Sequence, residues 1–265
     1  MSAPDRTDGE YLSRLFGLSG QVALVTGARQ GIGRTLALAF GCVGARVVIT
    51  SRRPAALQAV ADELDQLGVE HLELDLDVAS EAQVAEAVAA ASRRFGRLDI
   101  VVNNAGLAIR KAALDVTADE WDAVIETNLR GTFLVSRECA KAMKNGGRII
   151  NISSTFARAA QSHRAPYSAS KAGIEQLTRV LALEWAPLGI TVNSVALTTV
   201  ETESRRDLFP TDAARQERIR AIPLGRLGVT EDVVGAALLL SGEAGRFITG
   251  QTIIVDGGFT LGSAA

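Results

Sequence analysis

The sequence predicts a single α/β domain: a doubly wound parallel sheet of about seven strands with helices on both faces. Three observations carry this. Short apolar runs read as strands buried on both sides, without the polar alternation of a half-exposed sheet. Segments of helical spacing separate them, so each connection is long enough to cross over between parallel strands. No linker rich in Pro, Gly or Ser, no low-complexity stretch and no internal repeat divides the 265 residues. Residues 19–265 therefore read as one domain, although length alone admits two.

The elements follow in order. Residues 1–18 are weakly patterned and are expected to be a mobile or loosely docked arm. Val22–Val25 is a buried strand stopped by Thr26-Gly27. Ile32, Leu36, Phe40 and Val43 recur at helical spacing, and Gly44 ends that helix. Arg46–Thr50 is a second strand and closes a βαβ unit. A helix over Leu57–Leu67 leads to a strand over Val69–Leu74, and an Ala-rich helix over Ser80–Phe95, with Ser80 as N-cap, leads to a strand over Leu98–Val102. One or two helices over about 118–145 precede the strand Arg148–Ile152. A helix over about 167–186, with Ile174, Leu177, Leu181 and Trp185 inward, precedes the strand Ile190–Val195, and Ile253–Val255 is the last strand.

Composition excludes several classes. Lys and Arg total 28 and Asp and Glu total 30, a net charge of −2. Such a balance fits neither a nucleic-acid binder nor an anionic membrane surface. No run of 18 apolar residues spans a bilayer, and MSAPDRTDGE lacks the plan of a signal peptide. Two cysteines, Cys42 and Cys139, make no disulfide framework, and two histidines, His71 and His163, make no zinc site. The expectation is a cytoplasmic protein that holds no metal.

Thr26-Gly27-Ala28-Arg29-Gln30-Gly31-Ile32-Gly33 lies directly between a strand and a helix. A dinucleotide pyrophosphate would rest there on the helix N-terminus. Gly27 permits the turn, Gly31 lets the backbone approach phosphate, and Gly33 lets helix and sheet pack closely. The spacing is G-x-x-x-G-x-G rather than G-x-G-x-x-G. At the end of the second strand, an NAD site usually places a carboxylate for the ribose 2′-hydroxyl. Here stand Ser51-Arg52-Arg53, and two guanidiniums can grip a 2′-phosphate, with Arg29 in support. NADP(H) is therefore expected over NAD(H). The other reading of the arginine pair is a solvated loop charge.

Tyr167 and Lys171 are four apart on a helix and so project from one face. Free tyrosine is too weak an acid to serve as a base near neutral pH, and a neighbouring ammonium favours its phenolate. Ser154 follows the strand ending at Ile152 and lies 13 residues before Tyr167, at the strand end where open α/β sheets bind ligands.

With these residues in view, the chain resembles the short-chain dehydrogenase/reductase family in its single-domain form, especially its 3-oxoacyl-carrier-protein reductase and gluconate 5-dehydrogenase branches. The matching residues extend over nearly all of 20–259: Thr26–Gly33, Asp77-Val78, Asn103–Gly106, Asn128, Ser154, Tyr167-x-x-x-Lys171, Thr249–Gln251 and Val255–Gly258. The resemblance implies a Rossmann-type sheet and an oxidoreductase that moves hydride between nicotinamide and a ketone or secondary alcohol. It implies Tyr167 as general acid/base, with Lys171 holding the nicotinamide ribose and lowering the tyrosine pKa. Ser154 would hydrogen-bond the substrate oxygen, with Ser153 as the other candidate hydroxyl. Asn128 would hold a water in a proton relay from Lys171, or merely cap or kink its helix. Asp77 and Val78 would meet adenine, although Asp77 also suits a helix start; Asp75 is the weaker adenine candidate. Asn104, Ala105 and Gly106 would pass behind the ribose, and Val200 and Thr202 would meet the carboxamide. The family also implies a homotetramer built on the helices about 118–145 and 167–186 and on the C-terminal segment.

One departure stands out. Family members commonly carry Pro-Gly where this chain has Leu197-Thr198, which changes the conformations easily reached behind the nicotinamide. The irregular loop and helix of about 198–222 would cap the substrate pocket, with Arg205, Arg206, Asp207, Leu208 and Phe209 within reach. The expected function is NADP(H)-dependent interconversion of a ketone and a secondary alcohol on a small molecule. Two other readings stay open: an NAD(H)-dependent dehydrogenase of a polyol or hydroxy compound, and a catalytically silent nucleotide-binding regulatory protein.

Overall fold

In a computed structural model of the chain, residues 9–202, 209 and 211–262 are described. The strands are β1 (Val22–Val25), β2 (Arg46–Ser51), β3 (His71–Asp75), β4 (Ile100–Asn103), β5 (Gly147–Ser154), β6 (Ile190–Leu197) and β7 (Thr252–Val255). They form one sheet in the order β3-β2-β1-β4-β5-β6-β7, with every pairing parallel. The order reverses beside β1. A crevice therefore opens between the carboxyl ends of β1 and β4, where the connections leave in opposite directions.

Nine helices are described: α1 (Gly9–Phe16), α2 (Gly31–Cys42), α3 (Gln58–Gln66), α4 (Glu81–Phe95), α5 (Ala118–Ile125), α6 (Gly131–Ala142), α7 (Ala165–Trp185), α8 (Asp212–Arg220) and α9 (Val234–Ser241). One core layer gathers Leu36 and Phe40 of α2, Leu64 of α3 and Leu240 of α9. The opposite layer gathers Val84 and Phe95 of α4, Leu134 of α6 and Leu181 of α7. Strand residues alternate between the layers, as Ala23 and Val25 against Val22 and Leu24 show. Both faces are covered, so the central strands β1 and β4 are apolar and buried on both sides, while the edge strand β3 (HLELD) keeps polar residues. Phe40, fully buried, is worth about 1.5–3 kcal/mol of transfer free energy.

The N-terminal arm is described from residue 9. Over its described part it is helix α1, and Leu18 just beyond is completely buried. The helix is held at its C-terminal end: Gly17 N–H donates to the Ser13 carbonyl at 2.7 Å and Leu18 N–H to the Val43 carbonyl at 2.8 Å. Gly242, after α9, lies so close to the Leu15 carbonyl that a side chain there would clash. The helix α9 was not read from the sequence, because its run of Ala and Leu has no polar face to reveal a period. The expected helix near the substrate loop is α8, capped by Thr211, whose hydroxyl accepts from Ala214 N–H at 3.2 Å. Glu203, Arg205, Arg206, Asp207 and Leu208 lie outside the described residues.

The Leu197-Thr198 departure has a visible consequence. Leucine keeps the backbone donor that proline lacks, and β6 continues through Leu197, in register with Ser154 on one side and Val255 on the other. His163 alone among described non-glycine residues has a positive φ, so Thr198 does not need a glycine's conformation.

Candidate active site

The glycine turn leaves β1 with Gly27 at φ +66° and Gly31 at φ +57°. Space behind it is tight. A Cβ on Gly27 would stand 3.0 Å from Ala105 Cα, and one on Gly33 would stand 2.5 Å from both the Asn104 amide nitrogen and the Gly27 carbonyl oxygen. Thr26 fastens the turn to the loop after β4: its hydroxyl accepts from Asn104 and Ala105 N–H, both at 3.0 Å. The Asn104 amide donates to the Thr26 and Gly27 carbonyls at 2.9 and 3.1 Å. The N-cap residue Gln30 makes no side-chain cap to α2, and no acidic residue occupies the first turn. These first N–H groups face a cleft of about 550 Å³ without a side-chain acceptor, the requirement for holding a pyrophosphate.

Ser51, Arg52 and Arg53 line the outer end of this cleft, with Arg29 across from them. The Ser51 hydroxyl accepts from Arg53 N–H at 3.2 Å, which shapes the turn after β2. Arg29, Arg52 and Arg53 are exposed, and none of them pairs with a described carboxylate. Leu76, Val78 and Thr202 also line the cleft. Asp77 does not. Its carboxylate accepts from Ala79 N–H at 3.0 Å and its own N–H donates to Gln83 Oε1 at 2.7 Å, so it shapes the approach to α4. Gly33 likewise lies behind the lining and acts through packing.

The second cleft, of about 520 Å³, is continuous with the first through Ile32, Asn104 and Gly106, which line both. Ser154, Tyr167, Lys171 and Val200 share its wall. Ser154 ends β5, and its hydroxyl accepts from Phe156 N–H at 3.2 Å, leaving the O–H proton to donate elsewhere. Ser153 also lines this cleft, but its hydroxyl donates toward Glu175 Oε1 at 3.3 Å. Tyr167 and Lys171 sit in the first two turns of α7, with Pro166 where no helical donor is lost. Lys171 is buried. Its ammonium donates to the Ile152 carbonyl at 2.6 Å and lies 5.7 Å from the centre of the Tyr167 ring.

Asn128 stands behind this row and is fully buried. It occupies a π-helical turn, Glu126–Arg130, that joins α5 to α6. Its Oδ1 accepts from Leu107 N–H at 2.7 Å, and its amide donates to the Leu107 carbonyl and the Ser170 hydroxyl, both at 2.9 Å. Ser170 in turn donates to the Tyr167 carbonyl at 2.7 Å. Asn128 therefore ties the loop after β4 to the first turn of α7. A Cβ on Gly106 would lie 3.3 Å from Asn128 Oδ1 and 3.9 Å from the Lys171 ammonium, so these three residues meet at one point. Thr198 Oγ1, on the same wall, is buried with no partner among the described residues.

Several lining residues were not anticipated. Arg110, Phe156, Gln161, Arg164 and Arg218 surround the far end of the second cleft. No short-range pattern marks them, because they come from the loop after β4, the β5–α7 connection and α8. Among the described residues no group of His, Cys, Asp and Glu is placed to hold a metal, and no helix is long and apolar enough to cross a membrane. Burial pushes the Cys139 thiol far above its ordinary pKa, so it offers no thiolate.

The strand order, the glycine turn at the switch point and the row of polar side chains at the strand ends define a Rossmann-type α/β protein. Its relatives are readily found. The sequence profile described as enoyl-(acyl carrier protein) reductase matches residues 27–260. D-threitol dehydrogenase of Mycolicibacterium smegmatis is 36% identical over 249 residues, covering 93% of this chain and 95% of that protein. A 3-oxoacyl-acyl-carrier-protein reductase of Pseudomonas aeruginosa is 38% identical over 246 residues, covering 92% and 99%. The crystal structure of a gluconate 5-dehydrogenase from Burkholderia cenocepacia, in complex with NADP and tartrate, superposes with a TM-score of 0.90 at 36% identity, covering 94% and 99%. The chain belongs to the short-chain dehydrogenase/reductase family.

Proposed function

We propose that this protein is an NADP(H)-dependent oxidoreductase that interconverts a ketone and a secondary alcohol on a small molecule. The observation that carries this is the common wall of Ser154, Tyr167 and Lys171, reached directly from the cleft under the glycine turn. When bound, the nicotinamide accepts or supplies hydride at the substrate carbon. Tyr167 Oη takes the alcohol proton during oxidation and returns it during reduction. The Ser154 hydroxyl donates to the substrate oxygen and stabilises the charge that develops there. Lys171, held by the Ile152 carbonyl, keeps a positive charge near the Tyr167 ring and favours its phenolate. Asn128 orients Leu107 and the start of α7, and would hold the water through which Lys171 exchanges protons with solvent.

The residues fit the cofactor. The free N–H groups of α2 suit the pyrophosphate, the clefts meet at Gly106, and the buried Thr198 hydroxyl offers the nicotinamide side a polar partner. Arg52 and Arg53 favour NADP(H) because both are exposed at the cleft and unpaired with any described carboxylate. Adenine contact falls to Leu76 and Val78 rather than to the Asp77 carboxylate. The same reading places the enzyme in the cytoplasm as a homotetramer, and exposed Val180 and Leu183 on α7 support contact between subunits.

The test is a hydride-transfer assay over alcohols and ketones with both cofactors, alongside Tyr167→Phe. Turnover that falls at least about 100-fold in the variant is expected. Cofactor binding without turnover of any compound, and a variant indistinguishable from wild type, would leave the silent regulatory reading instead.

A further inference from the structure

We propose that the substrate carries an anionic group, a carboxylate or a phosphate, close to its reacting carbon, and that Arg110, Arg164 and Arg218 hold it. Anion selectivity deepens the oxidoreductase reading of this cleft and rests on it. The three arginines are far apart in the chain, yet all line the cleft that holds Ser154 and Tyr167. Phe156 is the platform between two of them. The Arg218 guanidinium carbon lies 5.8 Å from the Phe156 ring centre and 5.2 Å from that of Phe259, and the two rings meet edge to face. The Arg164 guanidinium carbon lies 6.0 Å from the Phe156 ring centre and 6.0 Å from that of Tyr167. These ring contacts place both guanidiniums on the cleft wall, where the Arg218 N–H groups can meet a planar or tetrahedral oxyanion.

The charge balance points the same way. Arg110 and Arg218 form no ion pair with a described carboxylate. Burial first, and then the positive charge of Arg110, push the Arg218 guanidinium below its ordinary pKa, while Glu217 acts in the opposite sense. Glu217 also lines the cleft but is exposed. A bound anion would relieve this mutual repulsion of like charges. The cofactor does not need these arginines, because Arg29, Arg52 and Arg53 line the other cleft. The short distance from Arg164 to Tyr167 puts the anion within a few bonds of the carbon whose oxygen meets the phenol. Gln161 Oε1, buried on the same wall without a partner among the described residues, can accept from a further hydroxyl. These features select a hydroxylated acid or sugar phosphate over a neutral polyol.

The experiment compares matched alcohols at two lengths: glycerate, glyceramide, glycerol and glycerol 3-phosphate, then gluconate, gluconamide, glucitol and glucitol 6-phosphate. Each is oxidised with NADP+ and with NAD+. The kcat/KM of one anion is expected to exceed that of its neutral partner by about 100-fold, and Arg218→Gln and Arg164→Gln each lower that ratio about tenfold or more, chiefly through KM. The ratio is unaffected by a smaller folded fraction, since that lowers both arms. Preference for the carboxylates or for the phosphates identifies the anion. Amides or polyols turned over as well as the anions, or a ratio that survives both substitutions, overturns the proposal. If no compound is turned over, glycerate and gluconate are titrated onto the NADPH complex by nicotinamide fluorescence. Binding that Arg218→Gln abolishes supports the anion site while the oxidoreductase reading fails. Absence of binding overturns the anion site itself.

Discussion

Replacing Gly33 by Ala sets two effects of opposite sign against each other. In a helix interior the change gains about 1 kcal/mol of propensity. At this position the new methyl would stand 2.5 Å from the Gly27 carbonyl oxygen, 2.5 Å from the Asn104 amide nitrogen and 3.0 Å from Ala28 Cα. Two of these neighbours are backbone and cannot swing away. Overpacking of this kind costs about 1–3 kcal/mol. Displacing the Asn104 amide also weakens its bonds to the Thr26 and Gly27 carbonyls, each worth about 1 kcal/mol. The steric terms win, and Gly33→Ala is destabilising by about 2 kcal/mol, or a Tm lower by about 4–8 °C. Because the displaced groups cradle the cofactor, NADPH binding weakens as well. Gly235→Ala is the control. Gly235 is exposed in α9 and has nothing within 4 Å of its would-be Cβ, so propensity alone acts and stability rises by about 0.5–1 kcal/mol. Thermal unfolding at fixed protein concentration, and NADPH titration by fluorescence, measure both. A Gly33→Ala protein as stable as wild type, with unchanged NADPH affinity, would refute the reasoning.

Further outcomes concern the site and its supports. Asn128→Ala leaves the half-buried Leu107 N–H and carbonyl, and the Ser170 hydroxyl, without this partner and is expected to cost about 1–3 kcal/mol in urea unfolding while lowering kcat; a change below about 0.5 kcal/mol counts against its positioning role. Arg52→Ala combined with Arg53→Ala should shift the NADP/NAD ratio of kcat/KM by about tenfold or more toward NAD, and an unchanged ratio would show that the pair is only a solvated charge. Asp232 accepts from Arg226 at 2.6 and 2.8 Å and from Val229 N–H at 2.8 Å. Arg226 above all holds its carboxyl down to about 2, from an ordinary 3.8. A lowered folded-state pKa stabilises above the unfolded value and is lost as pH falls, so the stability gap between wild type and Arg226→Gln should close from about pH 4 toward pH 2. Melting curves across that range check the sign.

How much was legible in the sequence depends on the reach of each signal. The strands showed because burial on both faces forces continuous apolar runs, and the crossover helices showed wherever one face stays wet. Helix α9 did not, since it is apolar all round, and α1 was missed because its docking rests on contacts far along the chain, Leu15 with Gly242 and Leu18 with Val43. Tyr167 and Lys171 were legible because i and i+4 share a helix face before any tertiary contact forms. The direction of the Asp77 carboxylate was not legible, because a local bond from Ala79 N–H helps set it and spacing carries no such information.

By itself, then, the sequence determined the seven-strand doubly wound class, the glycine turn, the phenol–ammonium pair and the absence of a carboxylate after the second strand. Each is written in near neighbours or in a period, so no long-range geometry is needed to read it. Only the tertiary structure decided that the Ser153 hydroxyl meets Glu175 while the Ser154 hydroxyl accepts from Phe156 N–H, and that a π-turn sets Asn128 against Leu107 and Ser170. It also decided that Arg110, Arg164 and Arg218 converge beside Tyr167. These depend on where separate loops come to rest on the finished sheet, and electrostatic and hydrogen-bonding terms act over ångströms of space, whatever the distance along the chain.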